Sequence, residues 1–187
     1  MKGSSKLWLQ VAALAPLVVV VVWVVARMLG PAPRVAAPVT VARQSPLPSA
    51  AAVKATRREP VETFSDDGVF AYLDGGAEVY LKRGLQRVMV ASYFFRGKDA
   101  GGVEIEAAVM EFDQKRGAEQ QEVDLRPDEG RNVEGVQGAV TTDQELVVRR
   151  GGRVLRLVAF TLGVDASEEM GRIAAAWVAS LPGRDDG

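Results

Sequence analysis

Leu7 to Leu29 is apolar except for Gln10, Pro16 and Arg27. No other stretch limits the chain so strongly. About 20 helical residues span a bilayer core of roughly 30 Å. The Val18–Val22 run is β-branched and would favour strand in water. In lipid a lone segment must satisfy its own backbone, so helix wins. Twenty-three residues without a polar face fit no small soluble core. Trp8 suits an interface, and Arg27 can snorkel outward. The rival is a cleaved signal peptide. Its tidiest cleavage site, Val35-Ala36-Ala37, is followed by Pro38, which hinders processing, so a retained signal anchor is expected. The lipid bilayer is then the first partner, through residues 7–29.

Charge divides the chain in two. Residues 1–58 hold 8 of the 23 bases and none of the 24 acids. The remainder is therefore strongly acidic, which argues against nucleic acid as a partner. Lys2 and Lys6 favour a cytoplasmic N-terminus, while Arg34 and Arg43 pull the other way. The expected localisation is the cell membrane, single-pass, with the C-terminal domain outside the cytoplasm. Neither cysteine nor histidine occurs. Thiolate nucleophiles, disulfides, histidine bases and the common zinc sites are thereby excluded.

The expected organisation is a short basic N-terminus (1–6), the apolar helix (7–29), a Pro/Ala-rich basic linker (30–58), a globular domain (59–183) and a tail (184–187). Pro31, Pro33, Pro38, Pro46 and Pro48 block regular structure in the linker. A chain starting near Glu59 is expected to fold alone.

Within the domain, Val69, Phe70, Leu73, Ala77, Tyr80 and Leu81 recur at helical spacing. Ser65, Asp66 or Asp67 can cap this helix, and Gly84 can end it. Gly75-Gly76 sits inside it, and each glycine costs a helix interior about 1 kcal/mol. Leu85–Phe95 is apolar on both faces, as in a covered central strand. Val103–Ala107 alternates, and a register shift is expected before Met110 and Phe112. Asp113 can cap a short polar helix over 114–123. Gly151-Gly152 reads as a two-residue hairpin turn. It pairs Val148 with Leu155 and Leu146 with Leu157 on the core face, and puts Glu145, Arg149 and Arg156 on the outer face. Asp165–Glu168 fits a capping box, with Ser167 an alternative cap. It precedes the stripe Met170, Ile173, Ala174, Trp177, Val178 and Leu181. The order α-β-β-α-β-β-α makes the fold class α+β: an antiparallel sheet of about 4–5 strands with helices packed on it.

Few residues could carry chemistry. Asp74 and Glu78 lie four apart on one helical face. They could bind Mg²⁺ or Ca²⁺, or divide acid and base work. The plainer reading has Asp74 capping a helix that restarts after Gly75-Gly76, and Glu78 pairing with Lys82. The glycines then permit close approach of another element, or cradle a ligand. Arg149 and Arg156 are diagonal neighbours that could clamp an anion; the plainer reading gives them Glu145 as counter-ion. Glu104 and Glu106 fit a solvated strand face. The hydroxyls of Tyr72, Tyr80 and Tyr93 fit hydrogen bonding at the core edge. No cofactor and no metal is expected from this inventory.

The stretch Tyr72-Leu-Asp-Gly-Gly-Ala-Glu-Val-Tyr-Leu-Lys-Arg-Gly84, followed by a strand carrying Tyr93, resembles the signature of an uncharacterised bacterial family. The resemblance covers Glu59 to Leu181. It implies an exported or membrane-attached α+β domain without an assigned catalytic residue. The leading expectation is therefore a membrane-anchored extracytoplasmic domain that binds a protein or envelope component without catalysis. The alternatives are a carboxylate-dependent hydrolase or Mg/Ca-binding enzyme using Asp74 and Glu78, and an anion or lipid sensor using Arg149 and Arg156.

Overall fold

Two long strands set the frame. β3 (Leu85–Arg96) and β4 (Gly102–Phe112) pair antiparallel along nearly their whole length. They belong to a computed structural model that describes residues 46–73, 76–96 and 102–181. All of these fall in one compact unit. The segment Leu7–Leu29 and the tail 184–187 lie outside the described residues. No helix among the described residues is long and apolar enough to cross a membrane.

The other strands are β1 (Arg57–Arg58), β2 (Glu62–Ser65), β5 (Arg131–Asn132), β6 (Val140–Thr141), β7 (Glu145–Arg150) and β8 (Arg153–Ala159). They form one eight-stranded sheet in the order β1-β3-β4-β8-β7-β6-β5, with β2 also pairing with β3. Every pairing is antiparallel. Helices α1 (Gly68–Leu73), α2 (Ala77–Lys82), α3 (Lys115–Leu125) and α4 (Ser167–Ser180) pack on it. The class is α+β, as expected. The sheet has more strands than the 4–5 expected because β1, β2, β5 and β6 are too short to show an alternation of their own.

The β7–β8 hairpin has the expected register: Leu146 faces Leu157, Val148 faces Leu155 and Arg150 faces Arg153 across the turn. Gly151 supplies the positive φ, 57°, that the turn needs.

Each face of the sheet carries its own core. The first holds Met89, Tyr93, Ile105, Leu146, Leu155 and Leu157, covered by Met170, Ile173 and Trp177 of α4. The second holds Val88, Ala108, Met110, Val147 and Val154, covered by Val69, Ala77 and Ala118 of α1 to α3. The face expected to be outer is thus partly covered. This also accounts for Met110 and Phe112. β4 keeps one register through Phe112, and the irregularity lies in β3, between Leu85 and Arg87. Met110 and Phe112 face the second core instead.

Three further expectations change. The helix expected over Phe70–Leu81 is two short helices, the second starting after Gly76 as the plainer reading has it; Gly84 (φ 84°) ends it as expected. At α3 the cap position is Gln114, without a side-chain cap bond; the Asp113 N–H instead donates to the Gly84 carbonyl. At α4 the cap position is Ala166, and Asp165 accepts from the Ser167 N–H at 2.9 Å.

The largest correction is at the start of the domain. Residues 46–58, expected as linker, belong to the fold. Leu47 and Val53 are buried in the first core. β1 pairs with Tyr93 and Phe94. The Tyr93 hydroxyl donates to the Pro48 carbonyl at 2.6 Å, and Arg58 donates to the Leu47 and Pro48 carbonyls. Proline lacks only a donor, so its carbonyl still serves as an acceptor.

Candidate functional site

Asp74 and Gly75 lie outside the described residues. Glu78 is solvent-exposed and pairs with Lys82 at 3.7 Å, one helical turn on. Gly76 takes an ordinary right-handed conformation before α2. Among the described residues no three acids gather to hold a metal ion.

Arg149 and Arg156 do lie diagonally: Arg149 faces Val154, and Val147 faces Arg156. Each already has a carboxylate. Arg156 donates to Glu145 at 2.8 Å, as the plainer reading expects. Arg149 donates to Glu122 of α3 at 2.9 Å, with Glu119 at 3.7 Å. An arriving anion would have to displace these partners, so a two-arginine clamp is not preformed.

The tyrosines behave as hydrogen bonders. Tyr72 stacks on Phe64 and donates to Glu106 at 2.8 Å. Burial, then the neighbouring Glu106 charge, push its phenol far up. Burial pushes Tyr93 up to about 12, with Arg58 opposing. A phenol held protonated in this way donates a hydrogen bond and does not act as a base. Glu106 is therefore part of a clasp between α1 and the sheet, beyond the solvated strand face expected for it.

A cleft that the sequence does not announce opens between α4 and the β5–β6 edge. Its volume is about 480 Å³, and Arg131, Val133, Glu134, Ser167, Glu168 and Arg172 line it. β5 is the last strand on this side of the described sheet, so its outer edge has no strand partner. The cleft's two arginines are held in place. Arg131 reaches Asp143 at 3.1 Å, Ser167 at 2.9 Å and Asp165 at 3.4 Å. The bonds to Ser167, then Arg131, hold the Asp165 carboxyl below the usual range. Arg172 pairs with Glu168 and Glu169 and lies over the Phe95 ring. Its Nε is buried and has no hydrogen-bond partner.

Sequence reading missed this cleft for a physical reason. Its walls come from residues far apart in the chain, on strands two residues long. The one available signal is the Asp165–Ser167 cap, which marks where α4 begins.

Comparison with protein-family models, with curated proteins and with solved structures finds no match.

Proposed function

We propose that the chain is a membrane-anchored extracytoplasmic domain that binds a protein or envelope component without catalysis. Leu7–Leu29 is read as the anchor, and the Tyr72–Gly84 signature as membership of the uncharacterised bacterial family that it resembles. The observation that carries the binding role is the cleft between α4 and the β5 edge. It offers guanidinium and carboxylate groups beside the outer edge of β5, which pairs with no strand among the described residues. That combination suits an extended segment of a protein partner: backbone bonds add a strand, and side-chain charges select the sequence.

The test is selection of displayed random decapeptides against the full chain in detergent. Selected peptides should bind in the micromolar range. Arg131→Glu or Arg172→Glu should weaken them tenfold or more, and Arg149→Glu should leave them unchanged. Peptides insensitive to both cleft substitutions would remove the cleft from the account. A reporter fused after Gly187 tests the side of the membrane: activity only in the cytoplasm would reverse the topology.

A further inference from the structure

Exposed large apolar side chains are unevenly distributed. Among the described residues six stand out, and three of them share the five-residue segment Phe160–Val164: Phe160 (57% exposed), Leu162 (86%) and Val164 (37%). Scattered exposed apolar residues are ordinary; a cluster on one loop is not.

The loop is also held. The Phe160 N–H donates to the Glu104 carbonyl at 3.0 Å. The Thr161 hydroxyl donates to the Gly102 carbonyl and accepts from the Glu104 N–H. Gln144 donates to the Thr161 carbonyl. Beyond the tip, the Ala166 N–H donates to the Asp143 carbonyl at 2.8 Å. Gly163 takes φ 75°, which reverses the chain. Held at both ends, the segment leaves these three apolar side chains outside both cores.

The folded chain begins at the same end of the sheet. Arg58, Tyr93, Ile105 and Ala159 form one row across β1, β3, β4 and β8, and Phe160 follows immediately. Leu47 and Pro48 are bonded to Arg58 and Tyr93 of that row. The apolar segment ends at Leu29, and the described domain starts at Pro46. The intervening residues reach at most about 50 Å at the polyproline rise of ~3.1 Å per residue. A domain tethered at that end, within this reach, can bring the loop to the lipid. The opposite end, at the β7–β8 tip, carries Arg149, Arg150 and Arg153. Arg149 is paired with Glu122 and Arg153 with Glu111, which weakens that end's attraction to anionic headgroups.

We propose that Phe160, Leu162 and Val164 form a second membrane contact, inserting into the interfacial layer of the bilayer that holds the anchor. This rests on the anchor reading and goes beyond it: the domain lies on the lipid with the Phe160–Val164 end down. The α4–β5 cleft then has a fixed orientation to the surface.

The chain has no cysteine, so single-cysteine labelling needs no prior substitution. Full-length Leu162→Cys and Arg150→Cys variants are labelled with a nitrobenzoxadiazole dye. They are reconstituted in phosphatidylcholine vesicles with and without doxyl-labelled lipid. Both should float with the vesicles. The dye at 162 should be quenched at least threefold more than the dye at 150, independently of protein-to-lipid ratio. Flotation with no quenching at 162 would overturn the loop contact and leave the anchor standing. So would a dye at 162 that is shielded from water but not quenched by lipid, which would mean a second copy covers the loop. Stronger quenching at 150 would put the arginine tip on the membrane instead. Failure to float would overturn the anchor, and the loop contact with it.

Discussion

The two faces of the sheet are built on different principles. Against α4 the contact is continuous and apolar, from Leu47 and Val53 through Tyr93 and Ile105 to Trp177. Against α1, α2 and α3 the apolar patch is smaller, and polar clasps surround it. Tyr72 holds Glu106, Arg83 holds Gln121 and Asp124, and Arg149 holds Glu122. Burial of apolar area is non-directional, so the first face tolerates variation in detail but not loss of volume. Clasps are directional, so the second face depends on where a few groups stand. The first face should thus carry most of the stability, and the second should set how the short helices sit.

The largest expected effect is at the chain's beginning. A protein starting at Pro46 should fold, and one starting at Glu59 should not fold stably. The cut removes Leu47 and Val53, at about 3–6 kcal/mol together, and leaves the Tyr93 hydroxyl without its acceptor, at about 1–3 kcal/mol. That approaches the whole stability of an ordinary domain. Matching urea midpoints for the two chains would mean that residues 46–58 are linker after all. Next comes Trp177→Ala, expected to cost about 3–5 kcal/mol. On the second face, Glu122→Gln should cost only about 1 kcal/mol, since Arg149 is partly solvated. A loss at Glu122 as large as at Trp177 would break the contrast.

Gly117 sharpens the contrast from the other side. A Cβ there would overlap the Arg83 carbonyl oxygen and crowd the Phe112 ring. Gly117→Val should therefore cost about 1–3 kcal/mol by overpacking, although it adds apolar surface. Equal or greater stability would show that α3 can move away freely.

Alkali should act on both faces through Tyr93 and Tyr72. Both phenols are pushed up in the fold, Tyr93 to about 12 against the 10.0 of a free tyrosine. Above pH 10 the unfolded chain loses these protons while the fold retains them. Stability should therefore fall as pH rises from 10 towards 12, by at most about 2–3 kcal/mol for Tyr93. Tyr93→Phe should flatten this slope in denaturant titrations; an unchanged slope would contradict it.

The smallest effect is at the cleft. The Asp165 carboxyl should titrate below 3.8, chiefly through Ser167. Its contribution is present above that value and is lost as pH falls through the lowered one. Carboxyl NMR should show Ser167→Ala raising the midpoint more than Arg131→Ala does.

The same contrast explains what was legible beforehand. The α4 stripe and the Leu146/Leu157 and Val148/Leu155 pairs follow from period and turn chemistry, and the first core follows from them. Of the second core, only the apolar second face of β3 was legible, since Leu85–Phe95 reads as a strand covered on both sides. That core's α3 buries only Gly117, Ala118 and Gln121, which carry no apolar period. Leu47 and Val53 were hidden among prolines, which sequence logic reads as spacer. The cleft depends on two-residue strands, below the length at which alternation has meaning. The pairs Glu78–Lys82 and Arg156–Glu145 follow from spacing and register, whereas the partner of Arg149, Glu122 on α3, is revealed only by the contacts.

We propose that Leu7–Leu29 holds this domain to a membrane. Carbonate extraction followed by a high-salt wash of membranes carrying the full chain tests it most directly. The chain should stay in the pellet under both treatments, because an apolar anchor of ~20 residues would hold it independently of charge. Release of the intact, uncleaved chain by salt alone would mean that the basic N-terminal segment merely adsorbs to lipid, and would contradict the claim.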